Sequence, residues 1–287
     1  SEFAYWSVED AVLNGQTHAW SGDDQSAIDA LEDLLRDAVS RRMVADVPLG
    51  AFLSGGIDSS TIVALMQSVS DRPVKTFSVG FEDAAFNEAA FAGEVARHLK
   101  TDHTELYVTP QDIPTYLISA LTRKEVTVAL SGDGGDETFG GYTRYLWARQ
   151  LSKAAGSIPF GASMVARMLT MLSPEQWDNL VGLVPGGSAT SAIGDKIHKA
   201  APLLAIKDDL DRYHALLSLF DTDKLLGRRE DRKKIRVPGE KFCRNRNLDY
   251  VSSMQVMDTM MYMVDDVLTK VDRASMANSL EVRVPFI

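Results

Sequence analysis

The chain has 287 residues, 45% of them hydrophobic and 24% charged, which supplies enough apolar side chains for a sizeable core without covalent staples. A net charge of -10 and a pI near 5.0 argue against a nucleic-acid surface, whose binding free energy comes largely from Lys and Arg neutralising phosphates. One cysteine, Cys243, excludes an intrachain disulfide and multi-cysteine zinc sites, while the lack of a bilayer-length apolar run or a signal-peptide pattern makes the cytoplasm the default and a membrane partner unexpected.

Residues 1–22 read as a leader or linker, 23–152 as an α/β core and 153–287 as a mainly helical portion of the same domain. In the stretch Asp24 to Met43, Ile28, Leu31, Leu34, Leu35, Ala38 and Val39 recur at three- and four-residue steps, which predicts a helix capped by Ser21 or Asp23. Val47 to Leu53 is short and apolar and is followed by Ser54-Gly55-Gly56 and a helical stretch from Asp58 to Val69. The alternation repeats with strands at Val74 to Val79, His103 to Val108 and Val126 to Leu130, separated by helices at Asn87 to Leu99 and Ile113 to Leu121. Four strands alternating with helices predict a parallel sheet with helices on both faces. Helices are expected at Phe160 to Leu172, Pro174 to Val181, Leu210 to Phe220 and Met254 to Ala277, where the methionines at helical spacing suit packing. The mixed-charge run Arg228 to Lys234 reads as a solvated loop.

Two turns carry the chemistry. Ser54-Gly55-Gly56-Ile57-Asp58-Ser59-Ser60 stands where the first strand turns into a helix, so the backbone can approach an anion closely, the hydroxyls can donate and the helix start adds unpaired N–H groups. Asp58 would repel a phosphate unless a divalent cation bridged them, so the pattern asks for Mg²⁺. Neither a Walker A loop nor the dinucleotide GxGxxG pattern is present. The second turn, Ser131-Gly132-Asp133-Gly134-Gly135-Asp136-Glu137, follows the fourth strand and brings three carboxylates to the same sheet edge. Open α/β sheets bind ligands at that edge.

The Ser-Gly-Gly-Ile-Asp-Ser run at 54–59 resembles the pyrophosphate-binding loop of the ATP pyrophosphatases. The second turn with Phe139-Gly140-Gly141-Tyr142, together with the runs Lys270 to Met276 and Glu281 to Phe286, is similar to the synthetase domain of glutamine-hydrolysing asparagine synthetases. The resemblance implies an adenine nucleotide alpha hydrolase-like fold and adenylation of the aspartate side-chain carboxylate by Mg-ATP. Pyrophosphate would leave, and ammonia would attack β-aspartyl-AMP to give asparagine. It implies that Ser54, Gly55, Gly56, Ser59 and Ser60 cradle the β- and γ-phosphates and that Asp58 and Asp136 hold Mg²⁺. Phe52, Leu53, Val79 and Gly80 match positions that meet the adenosine, Ser131 and Gly132 lie near the α-phosphate and ribose, and Asp133 falls near the reacting centre.

The resemblance also implies a glutaminase domain N-terminal to this region in the parent protein, since the nucleophilic cysteine that starts such a domain is not in this sequence. Relatives carry an acyl-binding segment where Asp112 here passes straight to Ile113, and further helices and a lysine beyond the position of Ile287. The expectation for the chain as given is therefore Mg-ATP binding with weak turnover, ammonia coming from outside. The competing readings are a sibling that adenylates another carboxylate, such as a β-lactam synthetase, a peptide cyclase or an amide-forming enzyme of polysaccharide pathways, and a non-catalytic nucleotide-binding module. A homodimer is left open.

Overall fold

The structure is a computed structural model that describes residues 4–81, 87–108, 114–157, 161–182, 193–218, 237–246 and 248–287. The chain divides into two compact units, one formed by residues 1–141 with 258–287 and the other by residues 142–257.

The first unit is built on five parallel strands: β1 (Leu49–Phe52), β2 (Lys75–Phe81), β3 (Asp102–Val108), β4 (Val128–Leu130) and β5 (Glu281–Arg283), in the order β3-β2-β1-β4-β5. Along the chain the sheet grows outward from β1 to β3, then restarts on the other side of β1 with β4. β1 is therefore the switch point, and the ends of β1 and β4 open toward one crevice, with Ala51 of β1 paired to both Thr76 and Leu130.

Helices cover both faces, as the sequence pattern predicted. On one side α2 (Asp24–Arg42), α3 (Ile57–Ser68) and α4 (Ala89–Leu99) bury Val39, Ile62, Val63, Met66, Ala92 and Ala96 against Ala51, Leu53 and Leu130. On the other, α5 (Pro114–Arg123) and helix Thr269–Met276 close over the sheet, where Phe77, Val126, Ala129 and Leu280 form a second buried cluster with Ile118 and Leu121. The helix start at α2 is capped by Asp23, whose carboxylate accepts from the Ser26 N–H at 2.8 Å. The leader expected at residues 1–22 contains a helix, α1 (Val8–Thr17), capped by Ser7 and burying none of its residues.

Residues 258–287 hold a strand within the stretch read as mainly helical, 153–287. They run through a π-helical stretch, Met263–Leu268, and helix Thr269–Met276, then rejoin the sheet as β5, where Val128, Ala129 and Leu130 pair with Glu281, Val282 and Arg283. A three-residue strand with a charge at each end carries almost no local strand signal, and pairing to β4 makes it a strand.

The second unit is helical among its described residues: Thr143–Gly156, Ala162–Leu169, Pro174–Gly182, Ile193–Leu204, Asp209–Leu217 and Glu240–Arg246, followed by Tyr250–Met260, which runs into the first unit. Tyr145, Tyr213, Met254 and Met257 lie in its interior, which suits the packing role read for the methionines. Arg212 is buried and its guanidinium donates to the carbonyls of Leu203 (3.1 Å) and Ile206 (2.5 Å), closing the end of helix Ile193–Leu204. The charged run 228–234 and the junction at Asp112–Ile113 lie outside the described residues. Among the described residues no helix is long and apolar enough to cross a membrane.

Candidate active site

The first turn leaves β1 at Phe52, which is half-buried, and Leu53, whose N–H donates to the Phe77 carbonyl at 2.9 Å and whose side chain enters the core. Gly55 then takes φ +81, a left-handed conformation that favours glycine, and its open side is pressed against α4, since a Cβ there would lie 2.7 Å from Phe91 Cβ and from the Ala92 nitrogen. α3 starts at once behind Gly56, an N-cap with no side-chain bond, so the first-turn N–H groups have no capping acceptor from it.

The hydroxyls of this turn divide their tasks. Ser59 Oγ accepts from the Ser54 N–H at 3.1 Å, lies 3.0 Å from Ser54 Oγ and reaches the Gly56 carbonyl at 3.3 Å, so it closes the loop on itself. Ser60 Oγ is buried and has no hydrogen-bond partner. It lies one residue further along α3, and an orphaned hydroxyl at the base of such a turn is one that a ligand oxygen can satisfy.

The second turn is fitted against the first by glycines. A Cβ on Gly132 would sit 2.7 Å from the Ser59 nitrogen, and one on Gly135 would sit 2.5 Å from Asp58 Cγ and 2.7 Å from its Oδ1. Side chains at either position would push the loops apart. Between them, Ser131 Oγ donates to Asp133 Oδ2 at 2.5 Å, fixing the Asp133 carboxylate beside the end of β4. α6 (Gly135–Phe139) carries Asp136, half-buried, and Glu137, which is 1% exposed.

Burial, then the neighbouring charge of Asp136, then that of Glu137, push the Asp58 carboxyl above its ordinary value. Three acids thus crowd the point where the turns meet. Among the described residues no group of three or more His, Cys, Asp or Glu side chains is arranged to hold a metal ion by itself. Mg²⁺ does not need one: it commonly uses one or two carboxylates and completes its shell with water and phosphate oxygens. The hard oxygen donors of Asp58 and Asp136, and the burial and like charge that together raise the Asp58 carboxyl, fit such a cation.

Val79 and Gly80 stand near the end of β2, the strand next to β1, at the same sheet edge but not against the second turn. Gly80 is closed in by Tyr107 and Ala89, to which a Cβ would come within 2.8 and 2.9 Å. Two features of the site were not legible beforehand. The sequence quoted Glu137 without a task and did not tell that it is buried near Asp58, where its charge adds to the upward push; α4 gave no hint that Phe91 and Ala92 wall the first turn.

An open parallel sheet with two glycine turns meeting at its switch point defines an α/β ligand-binding domain whose crevice can present backbone donors and carboxylates to a phosphorylated ligand. The family model described as asparagine synthase matches residues 30–113 and 110–287. Over 289 residues the chain is 31% identical to asparagine synthetase [glutamine-hydrolyzing] 1 of Bacillus subtilis (strain 168), covering 92% of this chain and 43% of that protein. It is 42% identical over 146 residues to putative asparagine synthetase [glutamine-hydrolyzing] 2 of Methanocaldococcus jannaschii, covering 43% of this chain and 28% of that protein. Against asparagine synthetase B [glutamine-hydrolyzing] of Escherichia coli (strain K12) the identity is 31% over 179 residues, covering 48% of this chain and 32% of that protein. The chain belongs to the asparagine synthase family. It spans less than half the length of these curated relatives.

Proposed function

We propose that this chain carries ATP-dependent amide synthesis, converting a side-chain carboxylate, that of aspartate, into an amide. The observation that carries the reading is the contact of the two turns: Asp58 lies against Gly135, Ser59 against Gly132, and both turns belong to strands flanking the switch point. The first turn supplies donors to the β- and γ-phosphates from Ser54, Gly55, Gly56 and Ser60, with Ser59 holding the turn closed. Phe52, Leu53, Val79 and Gly80 receive the adenosine, and Ser131 and Gly132 stand near the α-phosphate. Mg²⁺, held by Asp58 and Asp136, would neutralise the phosphate charge.

The chemistry balances in two steps. A carboxylate oxygen bonds to the α-phosphorus while the bond to the pyrophosphate oxygen breaks, giving an acyl adenylate and pyrophosphate. Ammonia then adds to the acyl carbon, loses a proton, and expels AMP. A carboxylate resists ammonia because oxide is a hopeless leaving group, whereas AMP leaves readily, so the protein's task is to align the two reactants and neutralise charge. Ser131 holds the Asp133 carboxylate, and this reading puts Asp133 near the reacting centre. The matched relatives are named glutamine-hydrolysing and are longer than the matched region, and this reading assigns the supply of ammonia to a glutaminase domain in the parent protein, expected in the cytoplasm.

Phosphorus NMR of the chain with Mg-ATP, aspartate and ammonium tests the reading. Aspartate-dependent AMP and pyrophosphate are expected, at a low rate; ADP and orthophosphate would overturn adenylation, and AMP formed with other carboxylates but never with aspartate would move the substrate.

A further inference from the structure

The face of the sheet beneath α4 is polar where a stable core would be apolar. Thr76 and Ser78 of β2 are buried, and His103 of β3 stands between them, its Nδ1 2.9 Å from Thr76 Oγ1 and its Nε2 3.2 Å from Ser78 Oγ. Thr101 Oγ1 continues the row at 2.8 Å from Thr76 Oγ1. In the other direction His103 Nε2 lies 3.5 Å from Glu105 Oε1, and the Tyr107 hydroxyl donates to Glu105 Oε2 at 3.2 Å. Burial pushes the His103 imidazole below its ordinary value, so near pH 7 it is neutral and offers one donor and one acceptor to the two hydroxyls.

This row ends on the parts that line the nucleotide site. Glu105 Oε1 lies 2.9 Å from where a Cβ on Gly93 of α4 would be, so the helix comes down on the carboxylate at a residue with no side chain. Within about a turn of Gly93, the same helix walls the first turn and the end of β2: Phe91 and Ala92 close in Gly55, while Ala89, with Asn87 just before the helix, closes in Gly80. Tyr107, at the end of the row, presses on Gly80 from β3. α4 therefore touches both the phosphate turn and the end of β2. Its most buried residues Ala89, Ala92 and Ala96, with Gly93 over Glu105, are small, Val95 and Leu99 pack beside them, and the satisfied polar row adds directional contacts that alanines cannot supply.

Resting on the reading of Gly55 as a phosphate contact and Gly80 as an adenosine contact, we propose that His103 is a positioning residue. Through Glu105 it seats α4 so that the phosphate turn and the adenosine strand stand one nucleotide apart.

The test separates ligands that need both contacts from one that needs only the first. Isothermal titration of the full chain with Mg-ATP and with inorganic tripolyphosphate is made for the parent protein, His103→Leu, His103→Gln and Gly93→Ala. His103→Leu and Gly93→Ala should each weaken ATP on the order of tenfold, the scale seen when a residue that orients a ligand-binding group is removed, with tripolyphosphate unchanged. His103→Gln, whose amide can still serve both hydroxyls, should recover most of the loss. Unchanged ATP binding in both variants, or equal losses for ATP and tripolyphosphate, overturns the proposal. If His103→Leu does not fold, Gly93→Ala decides alone, because it displaces Glu105 and leaves the Thr76–His103–Ser78 contacts in place. A parent protein that binds tripolyphosphate but not ATP overturns the nucleotide reading itself, and the proposal with it.

Discussion

The two turns that meet at the switch point are built on opposite principles. The first, residues 54–60, is a donor surface: one left-handed glycine, a bare helix start and three hydroxyls, held closed by Ser59. The second, residues 131–137, is a charge surface: Asp133, Asp136 and Glu137 carried on a glycine-rich bend and a single helical turn. Asp58 breaks the symmetry, being an acid placed in the donor turn and aimed at the acidic one. In the protein alone this arrangement is unfavourable, because burial and two like charges oppose its ionisation. A residue that costs stability where it stands is a sign of a site shaped for something not in the chain.

The largest effect should come from removing that acid. Asp58→Ala is expected to weaken Mg-dependent ATP binding by about 100-fold or more, measured by titration at fixed free Mg²⁺. The metal-free stability should move the other way. A carboxyl raised in the folded state favours folding when protonated, and that contribution fades as pH rises from the ordinary carboxylate range through the raised value. At neutral pH the charged Asp58 therefore lowers stability, and Asp58→Asn should melt about 1–2 °C higher than the parent without Mg²⁺, with the difference vanishing in acid. Asp58→Asn melting lower at neutral pH would show that the carboxylate is stabilised by contacts in the chain, and the contrast between the turns would fail.

A second way to break the contrast is to separate the turns. Gly135→Ala places a Cβ 2.5 Å from Asp58 Cγ, so the carboxylate must swing away or α6 must shift. Mg-ATP and Mg-tripolyphosphate should both weaken by roughly tenfold, since the lesion lies at the phosphate end, while adenosine alone is unaffected. Gly93→Ala is expected to weaken ATP but leave tripolyphosphate unchanged, so the pair of glycines distinguishes damage at the meeting of the turns from damage to the spacing.

Both turns were legible in the sequence because their chemistry is local: Ser, Gly and Asp at adjacent positions state a backbone conformation and a ligand class whatever surrounds them. The sheet to which they attach was legible as four strands because four short strand-like runs alternate with periodic helices. What stayed hidden depends on partners far along the chain. β5 is a strand because Glu281, Val282 and Arg283 meet β4, and the π-helical stretch Met263–Leu268 looks like any helix at the level of apolar spacing. In α2 the helix read from its periodic residues is present, yet Ile28, Leu31 and Leu34 are exposed, and Leu35 and Val39 carry the packing. Periodicity marks a helix reliably but does not say which turns of it meet the core. His103 was passed over because a lone histidine in a strand has no local signature; its meaning lies in Thr76 and Ser78, about 25 residues away in sequence and adjacent only across the sheet.

The smallest expected effect tests the division of labour inside the first turn. Ser59 and Ser60 are neighbours of identical chemistry, and only the structure tells them apart. Ser59→Ala removes the acceptor for the Ser54 N–H and a contact to Ser54 Oγ, so it should cost about 1 kcal/mol of stability and loosen ATP indirectly by opening the turn. Ser60→Ala removes a buried hydroxyl that has no partner, so the free protein should be as stable as the parent or slightly more so. If that hydroxyl waits for a phosphate oxygen, its loss appears only with ligand present, as an ATP affinity lower by a factor of about 3–10, the equivalent of one ordinary hydrogen bond. Paired melting curves with and without Mg-ATP read both quantities at once. A Ser60→Ala protein whose gain in melting temperature on adding Mg-ATP equals the parent's would return Ser60 to the role of a packing residue and leave Ser54 and the backbone of Gly55 and Gly56 as the donors of the turn.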